Sequence, residues 1–182
     1  MAAFGVSLPN TLPSARKLGF AGGFTCGVRQ AGFDLIGKMA GPEGFGVELT
    51  EAQVRGLNEA FERILANNLA QPPVYVHRDY HSRNLMVAAP NPGILDFQDA
   101  VYGPITYDLV SLLRDAYVSW PEERVLDWAI RYWEEARRAG LPVRADFADF
   151  YRDFEWMGVQ RQIKVVGIFA RLAHRDGKQQ YL

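Results

Sequence analysis

The chain has 182 residues, 48% of them apolar and 23% charged, with a formal net charge of −1. It is long enough for one domain with a real core, too apolar for disorder, and too evenly charged for a nucleic-acid-binding surface. A lone cysteine, Cys26, excludes an internal disulfide and fits a cytoplasmic protein, and no stretch nears the ~20 apolar residues of a membrane span.

Residues 1–48 read as an irregular leader, broken throughout by glycine and proline. Its Gly19-x-x-Gly22-Gly23-x-x-x-Gly27 run invites comparison with a phosphate-cradling loop, but no β-branched strand precedes it and neither nucleotide fingerprint fits. The opening residues carry no basic segment followed by a long apolar one, so a secretory signal is not expected.

From Thr50 the pattern turns helical. Thr50-x-x-Gln53 is a capping-box spacing, and Val54, Leu57, Phe61, Ile64 and Leu65 share one face. Asn67-Asn68 and Gln71-Pro72-Pro73 end that helix. A polar segment, His77 to Asn84, then lies between the apolar runs Val74-Tyr75-Val76 and Leu85-Met86-Val87. Pro90-Asn91-Pro92-Gly93 marks a turn before Ile94-Leu95, which predicts a loop running into a small hairpin with Asp96 at its exit.

Tyr102-Gly103-Pro104 reads as a further turn, and Leu109, Leu112 and Leu113 mark a buried helix. Ser119 is the expected N-cap of the next helix, with Pro121 in its first turn. Val125, Leu126, Trp128, Ala129, Tyr132 and Trp133 form its apolar stripe, and Gly140-Leu141-Pro142 closes it. A last helical pattern runs from Asp146 to about His174, with Gly158 or Gly167 expected to break it in two. Trp120, Trp128, Trp133 and Trp156 read as core or pocket wall, and Arg161, Lys164, Arg171 and Arg175 as a solvated face. The expected fold is therefore mainly α with one small β-hairpin, an α+β class.

The chemistry concentrates at Asp79, Asn84 and Asp96, which two neighbouring loops can bring to one spot. Two carboxylates and an amide oxygen are hard ligands suited to Mg²⁺ and to accepting a hydroxyl proton. Singly, each has an ordinary reading as a loop aspartate capping an amide, a turn asparagine or a hairpin-end carboxylate.

His77-x-Asp79-x-x-x-x-Asn84 followed by Leu95-Asp96-Phe97 resembles the catalytic loop and metal-binding turn of the protein-kinase-like phosphotransferases. Within these, His77–Met86 and Leu95–Pro104 are similar to the aminoglycoside-phosphotransferase and choline-kinase branch, and there to bacterial kinases acting on the anomeric hydroxyl of N-acetylmuramate and N-acetylglucosamine for cell-wall recycling. The likeness covers roughly residues 50 to 182. It implies an ATP- and Mg²⁺-dependent kinase of a small amino sugar, with residues 49–182 as the helical catalytic lobe of a kinase-like fold.

The same resemblance assigns roles. Asp79 accepts or orients the sugar's hydroxyl proton, and Asn84 and Asp96 hold Mg²⁺ on the ATP phosphates. Asp99 is a further metal or substrate contact, or a simple turn residue. His81 takes the place of a lysine that touches the transferred phosphate in protein kinases, or is a solvent-exposed loop histidine. His77, Arg83 and Asp108 are structural: His77 holds the loop, Arg83 braces it as an ion partner, and Asp108 hydrogen-bonds its backbone. The kinase-like fold also uses a second, nucleotide-clamping lobe with a glycine-rich loop, a strand lysine and a helix glutamate. The residues before His77 show no such pattern, and Lys17 and Lys38 are their only lysines. That leaves two other readings, a non-catalytic sugar- or partner-binding module and an aminoglycoside or choline kinase. It also leads to the expectation of an apolar face capable of self-association.

Overall fold

The computed structural model describes residues 49–174 and 176–178. The expectations for residues 1–48, for Arg175 and for the side chain of Arg171 lie outside the described residues. Eight elements follow one another: α1 (Glu51–Leu69), β1 (Pro73–Val76), β2 (Leu85–Met86), β3 (Gly93–Ile94), β4 (Val101–Pro104), α2 (Tyr107–Leu113), α3 (Glu122–Arg138) and α4 (Phe147–His174). Two single-turn 3₁₀ helices, Ser82–Asn84 and Phe97–Asp99, sit between strands. The described residues divide into two units, 70–158 on one side and 49–69 with 159–174 and 176–178 on the other.

In the first unit two antiparallel strand pairs replace the single hairpin expected. β2 and β3 form that hairpin, with Leu85 opposite Ile94 and Met86 opposite Gly93. The second pair joins β1 to β4 over a long sequence interval, from Pro73 opposite Pro104 to Val76 opposite Val101. Tyr102-Gly103-Pro104 is thus strand and not turn. The two prolines face each other at one end of the pair, where a missing N–H costs the ladder least.

Helices supply the core of this unit. Val110, Val125, Ala129, Phe150, Phe154 and Met157 are all buried, and Tyr132 stacks on Phe150 with ring centroids 6.0 Å apart. Trp128 and Trp133 are half-buried, Trp133 donating from Nε1 to the Arg144 carbonyl, while Trp120 is exposed and meets Trp128 edge-on at 5.0 Å. A buried polar chain links the pieces. Thr106 donates to Gln71 at 2.6 Å, Gln71 donates to the Asp153 carbonyl, and the Asp153 carboxylate pairs with Arg144 at 2.9 Å.

Helix ends follow local chemistry in one case and depart from it in another. At the end of α3 the Leu141 amide donates to the Ala136 carbonyl and the Gly140 amide to that of Arg137, with Gly140 at φ +70°. That is a Schellman cap, which needs the left-handed backbone glycine adopts freely. At its start, Pro121 and not Ser119 occupies the N-cap. The Pro121 carbonyl takes the Arg124 and Val125 amides, and Glu122 and Glu123 favour the positive end of the helix dipole. α4 runs unbroken through both glycines. The helix penalty of about 1 kcal/mol per glycine is outweighed by the apolar side chains the helix buries, and Gly158 lies directly against the Arg114 side chain.

In the second unit the capping box forms as spaced. Gln53 accepts from the Thr50 amide at 2.8 Å while the Thr50 hydroxyl accepts from the Gln53 amide. Phe61, Ile64 and Leu65 are buried, whereas Val54 is exposed. α1 continues past the Asn67-Asn68 pair, because Asn68 is buried and donates to Gln160 at 2.6 Å instead of ending the helix. Arg161, expected on a solvated basic face, is buried, while Lys164 is half-buried. Among the described residues no helix is long and apolar enough to cross a membrane.

Phe154→Ala should lower unfolding free energy by about 3–5 kcal/mol, because it opens a cavity in a fully buried site. Val87→Ser, at a side chain 97% exposed, should stay within about 0.5 kcal/mol of wild type. Chemical denaturation measures both; equal losses would contradict this placement of the core.

Candidate active site

All the chemistry named from sequence lies in the first unit, on the connection between β1 and β2 and on the turn after β3. β1 ends in buried Val76, and the chain passes straight into His77, whose side chain has no solvent exposure. The Asp108 carboxylate, in the first turn of α2, accepts both of the next amides: His77 at 2.6 Å on one oxygen and Arg78 at 3.1 Å on the other. Arg78 carries a φ of +79°, a strained value for a side-chain-bearing residue. Burial pushes the Asp108 carboxyl up, and the two amides pull it down without cancelling that effect.

His77 ties this loop to the turn after the hairpin. Its Nε2 lies 2.8 Å from the Leu95 carbonyl. A carbonyl only accepts, so Nε2 carries the proton. The Leu95 amide in turn donates to the Asn84 carbonyl. The residue before Asp96 is therefore bonded to both ends of the loop that carries Asp79.

Within the loop, bracing falls on main chain. The Asp79 carbonyl accepts from the His81 amide at 3.0 Å and from the Asn84 side-chain amide at 2.9 Å. The Asp79 carboxylate, half-buried, accepts no hydrogen bond among the described residues, so it does not cap an amide. Asn84 has its amide nitrogen occupied, which leaves its Oδ1 as the group available to a ligand.

Asp96 adopts the left-handed conformation (φ 63°, ψ 36°), is exposed, and accepts one short bond from the Gln98 amide. Asp99 is exposed, and its carbonyl, not its carboxylate, receives Arg78 Nη1 at 3.4 Å.

No group of three His, Cys, Asp or Glu side chains among the described residues could hold a metal ion. The donors present still suit Mg²⁺. That ion takes one or two carboxylates and fills its octahedron with water and phosphate oxygens, which Asp96 and the Asn84 oxygen would permit. Asp99 ends the 3₁₀ turn that follows Asp96, and no hydrogen bond engages its carboxylate among the described residues.

Two residues of the loop meet one tyrosine. Arg83 forms no ion pair among the described residues; its guanidinium lies 4.4 Å over the Tyr117 ring. His81 is half-buried and meets the same ring edge-on at 6.1 Å, with its Nδ1 buried and unpartnered. Sequence reasoning passed over Asp115, which accepts from the Ser82 amide at 3.1 Å and the Ser82 hydroxyl at 2.6 Å, and also from the Tyr117 amide. It also passed over Tyr117. No motif spacing marks either residue; the only available hint was their position just past a predicted helix.

Residues 43–147, more than half of the chain, match the model of the phosphotransferase enzyme family. A protein of Neisseria meningitidis named N-acetylmuramate/N-acetylglucosamine kinase is 62% identical over 136 residues, which is 75% of this chain and 41% of that relative. Proteins of the same name from Pseudomonas putida and Pseudomonas aeruginosa are 55% and 53% identical over 137 residues, 75% of this chain and 40% of each relative. The chain spans about two fifths of the length of these curated relatives.

Burial alone would raise the Asp115 carboxyl, but the Ser82 and Tyr117 donors and the nearby His81 together bring it below the usual carboxylate value. Its contribution to stability is thus present above the unfolded value of about 3.9 and lost as pH falls through the lower folded value. Ser82→Ala should lower the thermal midpoint near pH 6, with the deficit shrinking toward pH 3. A deficit independent of pH would show that Asp115 is not held by Ser82.

Proposed function

The chain belongs to the phosphotransferase enzyme family, and from that membership we propose that it moves the terminal phosphoryl group of ATP to the anomeric hydroxyl of an amino sugar, N-acetylmuramate or N-acetylglucosamine. The acceptor comes from the names of the relatives. The reaction is carried by one observation: the Asp79 carboxylate makes no bond within the described protein while the loop around it is braced by other groups. A half-buried carboxylate with no structural task, in a loop whose backbone is fixed, is suited to take a proton from an incoming hydroxyl.

Asp79 is the general base. Asn84 and Asp96 hold Mg²⁺ through oxygen, with Asp99 as an adjacent acid. When bound, the ion neutralises charge on the nucleotide phosphates. The Asp79 carbonyl occupies the Asn84 amide nitrogen, so Oδ1 is the Asn84 atom that would hold a cation. His81 lies two residues from the base, where an imidazole can donate to the transferred phosphoryl group. Asp108 fixes the entry to the loop through two amides, and His77 fixes the distance from that loop to Asp96. Residues 49–182 act as the helical, catalytic lobe of a kinase-like fold, working in the cytoplasm.

Asp79→Ala should reduce amino-sugar phosphorylation by about 10²–10⁴-fold, the usual contribution of a positioned base. Asp96→Ala or EDTA should also abolish it. Turnover of ATP with a panel of amino sugars checks this beside wild type. Turnover by Asp79→Ala equal to an active wild type would remove Asp79 as the base, and background signal from both would favour a sugar-binding module without catalysis.

A further inference from the structure

One segment grips the catalytic loop a second time. Asp108 holds residues 77 and 78 from the start of α2. Past its end, Asp115 holds Ser82 by both amide and hydroxyl, at 3.1 and 2.6 Å. Tyr117, whose amide returns to Asp115 at 3.2 Å, presents its ring edge to His81 and its face to Arg83. Three consecutive loop residues, 81 to 83, are therefore each engaged by the 115–117 turn.

The turn is itself anchored. Arg114, at the end of α2, pairs with Glu122 at 2.9 Å and Glu155 at 2.6 Å, which fixes it to α3 and α4. The two gripping carboxylates are seven residues apart, Asp108 in the first turn of α2 and Asp115 two residues past its end. Between the two grips lies Asp79, and immediately after the second comes Asn84.

We propose that the Asp115–Tyr117 turn is a second clamp on the catalytic loop, with Asp115 a positioning residue that sets Asn84 and Asp79 relative to each other through Ser82. α2 acts as the ruler between the clamps: the entry is pinned at its start and the 3₁₀ turn Ser82–Asn84 beyond its end. Asp115 touches neither sugar, nucleotide nor cation. Its loss is felt at the cation site and in turnover and not in recognition of the sugar. The clamp rests on the phosphotransferase reading only for the chemistry it serves, since the contacts hold without it.

The test uses the intact chain, with Mn²⁺ as the probe, titrated by electron paramagnetic resonance of the free ion, beside kinetics with ATP and N-acetylmuramate. Ser82→Ala and Asp115→Asn should each weaken Mn²⁺ binding about tenfold and lower kcat by about 10–100-fold, with KM for the sugar within about threefold, as expected for a small misplacement of reacting groups. Ser82→Thr, which keeps the hydroxyl, should recover both readouts. The double variant Ser82→Ala/Asp115→Asn should be no worse than Asp115→Asn alone, because one contact is removed twice.

Mn²⁺ affinity and kcat unchanged in Ser82→Ala, or Ser82→Thr no better than Ser82→Ala, would overturn the clamp. Ser82→Ala removes only a hydroxyl and carries the test should Asp115→Asn fail to fold. A wild-type chain that binds Mn²⁺ but phosphorylates no amino sugar would defeat the kinase reading, while the Mn²⁺ comparison still decides the clamp.

Discussion

The candidate site depends on one buried carboxylate spanning two successive amides. Asp108 is withdrawn from water, which is unfavourable for a charge, and is compensated by the His77 and Arg78 N–H groups. The compensation works only if the backbone turns sharply enough to aim both amides at one acceptor. That is where Arg78 takes its left-handed φ. Strain and buried charge therefore justify each other at the point where strand β1 becomes loop. Everything after it, from Asp79 to the amide at Asn84, inherits its place from that turn.

The scaffold around this point is polar where it has to be specific and apolar where it has to be stable. Thr106, two residues before Asp108, is held by Gln71, which reaches on to the main chain of Asp153. Asp153 is 2% exposed at its side chain and is paired with Arg144. A half-satisfied chain of this kind would be worse than an apolar core, so each member constrains the next. Its effect is to fix where α2 begins, just after β4. The aromatic packing of α3 on α4, with Tyr132 against Phe150 and Trp133 against Phe147, is less directional and would tolerate small shifts that the hydrogen-bonded chain does not.

Much of this was legible in the sequence because it is local. The Thr50/Gln53 cap, the Gly140 helix end, the hairpin around Pro90–Gly93 and the loop placement of Asp79, Asn84 and Asp96 all follow from a few adjacent residues. What was not legible depends on distant partners. The β1–β4 pair joins Val76 to Val101, and nothing local at Tyr102-Gly103-Pro104 distinguishes a strand end from a turn. Gly158 and Gly167 looked like breaks because propensity is a weak prior, and burial along α4 overrode it. Arg83 looked like an ion partner until the structure set a tyrosine beneath it. Asp115 carries no motif at all, since its role is defined only by where Ser82 arrives.

The most direct measurement is phosphoryl transfer to N-acetylmuramate by Asp108→Asn beside wild type, at a temperature where circular dichroism shows both folded. An asparagine keeps the size of the side chain but can accept only through one oxygen, and it turns a donor toward an amide. Its kcat should fall by about 100-fold or more with KM values little changed, because the loop stays present but loses its aim. Turnover within about twofold of wild type would show that the two-amide grip of Asp108 does not set the catalytic geometry.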